Sequence, residues 1–266
     1  MNPALSVEQL DLRLSGTVIL DAVSFTVEPG EYISVIGPNG AGKTSLIKCL
    51  CGIHPPCAGS VRLMNRDAAT ISPRERARLL SYVPQAEGRV FPFTAEEFVL
   101  LSRYPHLSPF TTVTPADRAA ADAALQQTGT EKFRHRKLGT LSGGERQMVF
   151  IAAALAQDTP ILLLDEPASF LDYRHQSEVA RLLVRLNREV GRTILTVSHN
   201  LNTAVRSSSR LLALKQGKNI FYGPPEHLLE SDRLRAVFDT EFRLVHDAGN
   251  PLPLVVPAEE TPPPPP

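Results

Sequence analysis

The segment GPNGAGKT, Gly37 to Thr44, fits the pattern G-x-x-x-x-G-K-[ST]. Glycines at these spacings let backbone N–H groups turn inward around phosphate oxygens with no Cβ in the way. The ammonium of Lys43 is a mobile point charge for terminal phosphates, and the hydroxyl of Thr44 is a ligand for Mg²⁺. With Pro38, Asn39, Gly40, Ala41, Gly42 and Ser45, the predicted phosphate-binding set covers Gly37 to Ser45. A second segment, ILLLDEP, carries two adjacent acids at the end of an apolar run. Asp165 is placed to hold Mg²⁺, through its water shell, and Glu166 to orient an attacking water or accept its proton. His199 ends a third apolar run, TILTVSH, within reach of a γ-phosphate. LSGGERQ is different: Leu141, Ser142, Gly143, Gly144 and Glu145 open a helix with no metal ligand and no nucleophile beside a base. It is a second helix start shaped for an anion.

The elements that must position these residues follow from hydrophobic period. LSVEQLDLRL, TVILDAVSFTV and SVRLMN alternate and predict an exposed-faced antiparallel sheet. EYISVIG is a short buried strand, and TSLIKCLCGI after the glycines has helical spacing, which begins a doubly wound α/β core. From about 86 the chain turns Ala-rich and Pro-punctuated, and a helical subdomain over about 86–155 is predicted within the core. PILLLDEP and RTILTVSH resume buried strands, joined by the crossover helix SEVARLLVRLNREV. SRLLALKQGKNIFYG predicts two closing strands and PPEHLLESDRLRAVF a small helical end piece. A Pro-rich, disordered tail is predicted for 246–266, leaving one domain over 1–245.

The chain has 266 residues, 42% of them hydrophobic, and a formal net charge of +0. That charge gives no footprint for nucleic acid, and the short run RHRK (Arg134 to Lys137) predicts a solvated face. No apolar run is long enough for a membrane span, and MNPALSVEQLDL has no signal-peptide pattern. Cys49, Cys51 and Cys57 are expected as reduced, buried thiols of a cytosolic protein, without zinc spacing. The histidines other than His199 are expected to be structural or at the surface.

Taken in order, Gly37–Thr44, VPQ with Gln85, LSGGERQ, ILLLDEP, ASFLD and VSH resemble an ATP-binding cassette ATPase over about residues 5–242. The resemblance implies a RecA-like P-loop NTPase fold, ATP and Mg²⁺ as substrate and ion, and Mg²⁺ contacts from Thr44, Gln85 and Asp165. It also implies that Gln85 senses γ-phosphate, that Asp172 sits in a dimer-spanning loop and that His199 is a switch histidine. Two copies would sandwich two ATP molecules head to tail, each LSGGERQ meeting the partner's ATP. Leu14 stands where relatives carry an adenine-stacking aromatic, and Met148 and Ala153 where many carry arginine. LLSRYPHLSPF resembles importer ATPases for iron–siderophore, hemin or cobalamin, docked under a membrane permease on its cytoplasmic face and fed by an extracytoplasmic binding protein. In that group Phe91, Phe93, Arg103 and Tyr104 would line the permease groove. The alternatives are a non-transport cassette ATPase and the cassette ATPase of another transporter class. Repair relatives need a long coiled coil and translation relatives two fused cassettes, and neither pattern is present.

Overall fold

The computed structural model describes residues 2–85, 91–107, 112–246 and 252–258. The chain opens with the hairpin β1 (Leu5–Leu14) and β2 (Thr17–Val27), which buries Leu10, Leu12, Leu20, Val23 and Phe25 in one cluster. β3 (Tyr32–Ile36) is buried along its whole length and feeds, through the glycine loop, into α1 (Lys43–Leu50). β4 (Ala58–Leu63) and β5 (Arg66–Asp67) return to the hairpin, completing an antiparallel sheet of order β2-β1-β4-β5. Next come α2 (Pro73–Leu79) and β6 (Leu80–Val83), a helix and strand that hydrophobic period alone passes over because both are short.

The helical subdomain contains α3 (Ala95–Leu101), α4 (Pro115–Gln127) and α5 (Gly143–Ala156). Each begins at a Ser or Thr whose side chain accepts a backbone N–H three residues on, with an acid reaching back, so the starts are set locally. β7 (Ile161–Asp165), α6 (Tyr173–Arg188) and β8 (Thr193–Val197) form the predicted strand–crossover–strand unit. α6 buries Val179, Leu182, Leu183 and Leu186, each contributing about 1.5–3 kcal/mol by leaving water. α7 (Leu201–Ser207), β9 (Arg210–Lys215), β10 (Lys218–Gly223), α8 (Pro225–Leu228) and α9 (Ser231–Phe238) close the core. β11 (Phe242–Val245) and β12 (Leu254–Pro257) pair with each other.

The main sheet has six strands in the order β10-β9-β3-β8-β7-β6, with β9, β3, β8, β7 and β6 parallel. Its register sets Val83 beside Leu164 and Asp165 beside Val197, while Val197 also lies beside Val35. Gln85, the Asp165–Glu166 pair, His199 and the glycine loop therefore leave the sheet at the same edge, its carboxyl end, where open α/β sheets bind ligands.

Four expectations need correction. The tail is not unstructured throughout: residues 252–258 are ordered, Val255 is buried, and its backbone N–H and C=O are both held by the Asn202 side chain of α7 at 2.7 and 3.0 Å. The apolar run Leu254–Val255–Val256 supplies the strand that the surrounding prolines hide from composition; residues 247–251 and 259–266, including the five terminal prolines, lie outside the described residues. Cys49 is buried and Cys51 half-buried, but Cys57 is exposed; all three are free thiols. Burial pushes the Cys49 thiol to about 11 and that of Cys51 to about 12. Arg134 is not simply solvated, since it bridges Glu96 at 3.1 Å and Asp122 at 2.7 Å. Arg103 is not a groove residue: it is 9% exposed, pairs with Asp117 at 3.0 Å and donates to the Ala156 carbonyl at 2.7 Å. Phe91 likewise packs inward on Phe98 and Phe150, and Phe93 is half-buried, whereas Tyr104 is 73% exposed. Ser108 to Phe110 fall outside the described residues.

Candidate nucleotide site

The loop Gly37–Gly42 joins β3 to α1, whose first turn holds Lys43, Thr44 and Ser45, and Gly42 is the α1 cap with φ +98°, a left-handed conformation that glycine adopts without penalty. A methyl group there would stand 2.8 Å from the Ile19 carbonyl, so the loop lies directly against β2. No side chain caps α1 and no acid occupies its first turn, which leaves its N–H groups and positive end for an anion. Lys43 is buried and donates to the carbonyls of Gly37 at 2.8 Å and Pro38 at 2.9 Å. Burial lowers its pKa, against the raising influence of Glu166 and Asp165. The Thr44 hydroxyl donates to Asp165 Oδ1 at 3.1 Å, joining α1 to β7. Desolvation is the main cause of a raised Asp165 pKa, a buried carboxyl seeking positive charge.

Glu166 sits one residue past β7 with φ +51°, a strained turn that swings its carboxylate into a cleft of about 1040 Å³. Three groups converge on it. Gln85 Nε2 donates to Oε2 at 2.9 Å, Ser169 Oγ donates to the same oxygen at 2.9 Å, and His199 Nε2 faces Oε1. Asn39 of the glycine loop lines the same cleft. The predicted residues Gln85, Glu166 and His199 thus form one polar cluster, and Lys43, Thr44 and Asp165 a second beside it. Ser169 belongs to the first cluster and sequence reasoning missed it; its place three residues after Glu166, on a tight turn, was the available signal.

Leu141 to Glu145 join neither cluster. Among the described residues that line the cleft, none comes from this segment. The Ser142 side chain accepts from the Glu145 N–H at 3.3 Å, and Glu145 Oε2 accepts from the Ser142 N–H at 2.9 Å. With that reciprocal cap the helix start satisfies two of its own groups and carries a carboxylate, while the Ser142 hydroxyl keeps its proton to donate. Asp172, the other predicted interface residue, caps α6 by accepting the His175 N–H at 2.9 Å. Leu14 ends β1 and is 36% exposed; Val18, opposite Arg13 on the hairpin, is exposed too. Ala153 is buried in the helical subdomain and Met148 packs between it and α6, so neither reaches the clusters.

The sequence pattern of the family described as "ABC transporter" matches residues 20–169, more than half of the chain. The chain belongs to the ABC transporter family. As an ABC protein it is an ATP-hydrolysing subunit of a transport system. It is 39% identical over 244 residues to the iron(3+)-hydroxamate import ATP-binding protein FhuC of Bacillus subtilis, covering 92% of this chain and 91% of that one. Among solved structures, one assigned to the metal-chelate type of ABC transporter, in an inward-facing conformation, superposes with a TM-score of 0.85 at 28% identity. It covers 97% of this chain and 99% of its own. A dimeric ATP-binding cassette in a post-hydrolysis state, bound to ADP and Pi, gives 0.73 at 27% identity, covering 83% and 98%.

Proposed function

We propose that this chain powers uptake of an iron chelate, as the ATPase of an importer whose siblings carry hemin or cobalamin. The observation that carries the reading is the convergence of Gln85, Ser169 and His199 on Glu166, beside a buried Lys43–Thr44–Asp165 cluster. The likeness to a hydroxamate-import protein and to a metal-chelate transporter supports the cargo class.

Backbone N–H groups of Gly40 to Ser45 and the start of α1 receive the phosphates, and Lys43 leaves its two carbonyls for them. Thr44 and Asp165 present hydroxyl and carboxylate oxygens 3.1 Å apart, a hard-oxygen set that fits Mg²⁺, with the Gln85 amide oxygen as a third donor. Bound there, Mg²⁺ supplies neutralisation of the phosphate charge. Glu166 accepts the proton of the attacking water as the water oxygen bonds to the γ-phosphorus and the bond to ADP breaks. Gln85 and Ser169 fill Oε2 while only His199 faces Oε1, so the acceptor position left on Oε1 is where the attacking water can be held, with Gln85 and His199 beside it as phosphate sensors. Leu14 and Val18, at the hairpin edge by the loop, give adenine an apolar contact in place of a stacking ring.

Two chains close head to tail, each Leu141–Glu145 segment meeting the partner's ATP, with Asp172 in the loop between the sites. Among the described residues no helix is long and apolar enough to cross a membrane. Attachment to the cytoplasmic face runs through permease subunits, with exposed Tyr104 and Leu101 of the helical subdomain as contacts. An extracytoplasmic binding protein delivers cargo to that permease. The test is uptake of iron–hydroxamate, hemin and cobalamin in a strain lacking the gene, complemented by wild type or Glu166→Gln. Iron-chelate uptake restored by wild type alone is expected. Restoration by Glu166→Gln overturns the base assignment, and loss confined to another cargo overturns the cargo class.

A further inference from the structure

The loop that leaves the Glu166 cluster does not end in solvent. It passes through Ser169, bonded to the Glu166 carboxylate, and Phe170, held at φ +63°, to Leu171 and Asp172. Asp172 then grips His175: it accepts from the His175 Nδ1–H with both oxygens at 2.9 Å, beyond the helix-capping bond. Those bonds hold the Asp172 carboxyl below its usual range. The His175 ring packs directly against the signature helix start at Gly144. A methyl group on Gly144 would stand 2.4 Å from Cγ and Cδ2 of His175 and 2.8 Å from Nδ1, a distance no Cβ tolerates. Gln176 fastens the same turn by donating to the Leu171 carbonyl at 2.9 Å, and Leu171 is the nearest neighbour of Gly143 at 3.9 Å from its ideal Cβ.

We propose that His175 is a positioning residue that locks the start of α5 to the Glu166–Asp172 loop, so that the segment offered to the partner's ATP is oriented by the chain's own hydrolytic loop. The second glycine of the signature is required by this intrachain contact. Two bonds and one ring face perform different tasks: Asp172 fixes where the ring stands, and the ring fixes where Gly144 and the Ser142 cap stand. The inference rests on the head-to-tail reading above.

The test uses the full chain assembled with its permease, together with the isolated chain for nucleotide binding. Gly144→Ala should lower kcat at least tenfold, with KM for ATP and nucleotide binding by the monomer unchanged. Adding His175→Ala should return kcat to within about threefold of His175→Ala alone, since the methyl group then has space. A double variant no better than Gly144→Ala means that the glycine serves the partner's phosphate directly, and overturns the proposal. His175→Phe keeps the ring and loses the bond to Asp172; His175→Asn keeps a donor and loses the ring. Both should lower kcat without moving KM, at temperatures where circular dichroism shows each fully folded. Wild-type kcat in both overturns the proposal by leaving only a structural role. ATP-dependent dimerisation of Glu166→Gln separates the two readings. Its absence removes the sandwich and the proposal together, whereas a dimer with wild-type turnover in the His175 variants removes the proposal alone.

Discussion

Gly37–Ser45 and Leu141–Glu145 are both glycine-bearing helix starts, yet they are built for opposite situations. The first is sunk against β2 and β9, has no side-chain cap and no acid, and leaves the start of α1 to an anion within the same chain. The second is capped twice over by Ser142 and Glu145, lies outside the cleft and is shaped on one side by a histidine of its own chain. A helix end that must wait for its ligand in another molecule has to be stable without it, and the reciprocal cap supplies that stability. One glycine motif therefore makes a pocket and the other makes a surface.

The comparison breaks if the two starts respond alike to mutation. Lys43→Ala should abolish nucleotide binding by the isolated chain, measured by titration calorimetry, and with it all turnover. Ser142→Arg should leave that binding intact while removing ATP-dependent dimerisation and reducing hydrolysis by about 10²-fold or more, the scale of losing preorganised contacts to the reacting phosphate. Equal loss of monomer binding in both variants would erase the distinction between pocket and surface. Glu166→Gln should lower turnover by about 10²–10⁴-fold with binding preserved, as for loss of a general base.

Smaller effects test the scaffold beneath the surface motif. Arg103→Ala leaves Asp117 buried without its partner and should cost about 3–5 kcal/mol of stability by urea denaturation, whereas Tyr104→Ala beside it should cost under about 0.5 kcal/mol. Asp117 also sets a pH window. Bonds from the Thr114 hydroxyl and backbone N–H, with Arg103 behind them, hold its carboxyl at about 2. Its contribution is complete above the unfolded carboxylate range near pH ~4 and is lost as pH falls through about 2. Asp117→Asn should flatten the decline of Tm over that interval. Ser142→Ala, which removes one cap, should cost only about 1 kcal/mol.

The sequence made the chemistry more legible than the architecture. Gly37–Thr44, Asp165–Glu166 and His199 could be read because each combines an unusual residue set with an apolar run ending at a fixed offset, and the parallel register brought them to one edge. Short elements escaped: β6 is four residues long and α2 seven, below the length at which a hydrophobic period shows. Arg103 was misjudged because the resemblance to importer ATPases placed it in the permease groove, and only the fold reveals Asp117 fourteen residues on as its buried partner. β12 was hidden by the prolines on either side of it. His175 was read with the other histidines as structural or at the surface, since its neighbour Gly144 lies 31 positions away in sequence and the contact exists only after α5 and α6 pack.

The graded burial of the three thiols makes the chain a ready-made reporter. Cys57 is open to solvent in the connection between α1 and β4, its Sγ receiving the Arg13 N–H at 3.3 Å, while Cys49 and Cys51 are shielded and held as thiols at neutral pH. A maleimide dye will attach at that single position without any engineered cysteine. The native protein then carries one fluorophore beyond the far end of the helix that begins at the phosphate loop, where spectroscopy can follow each nucleotide step in an unmutated molecule.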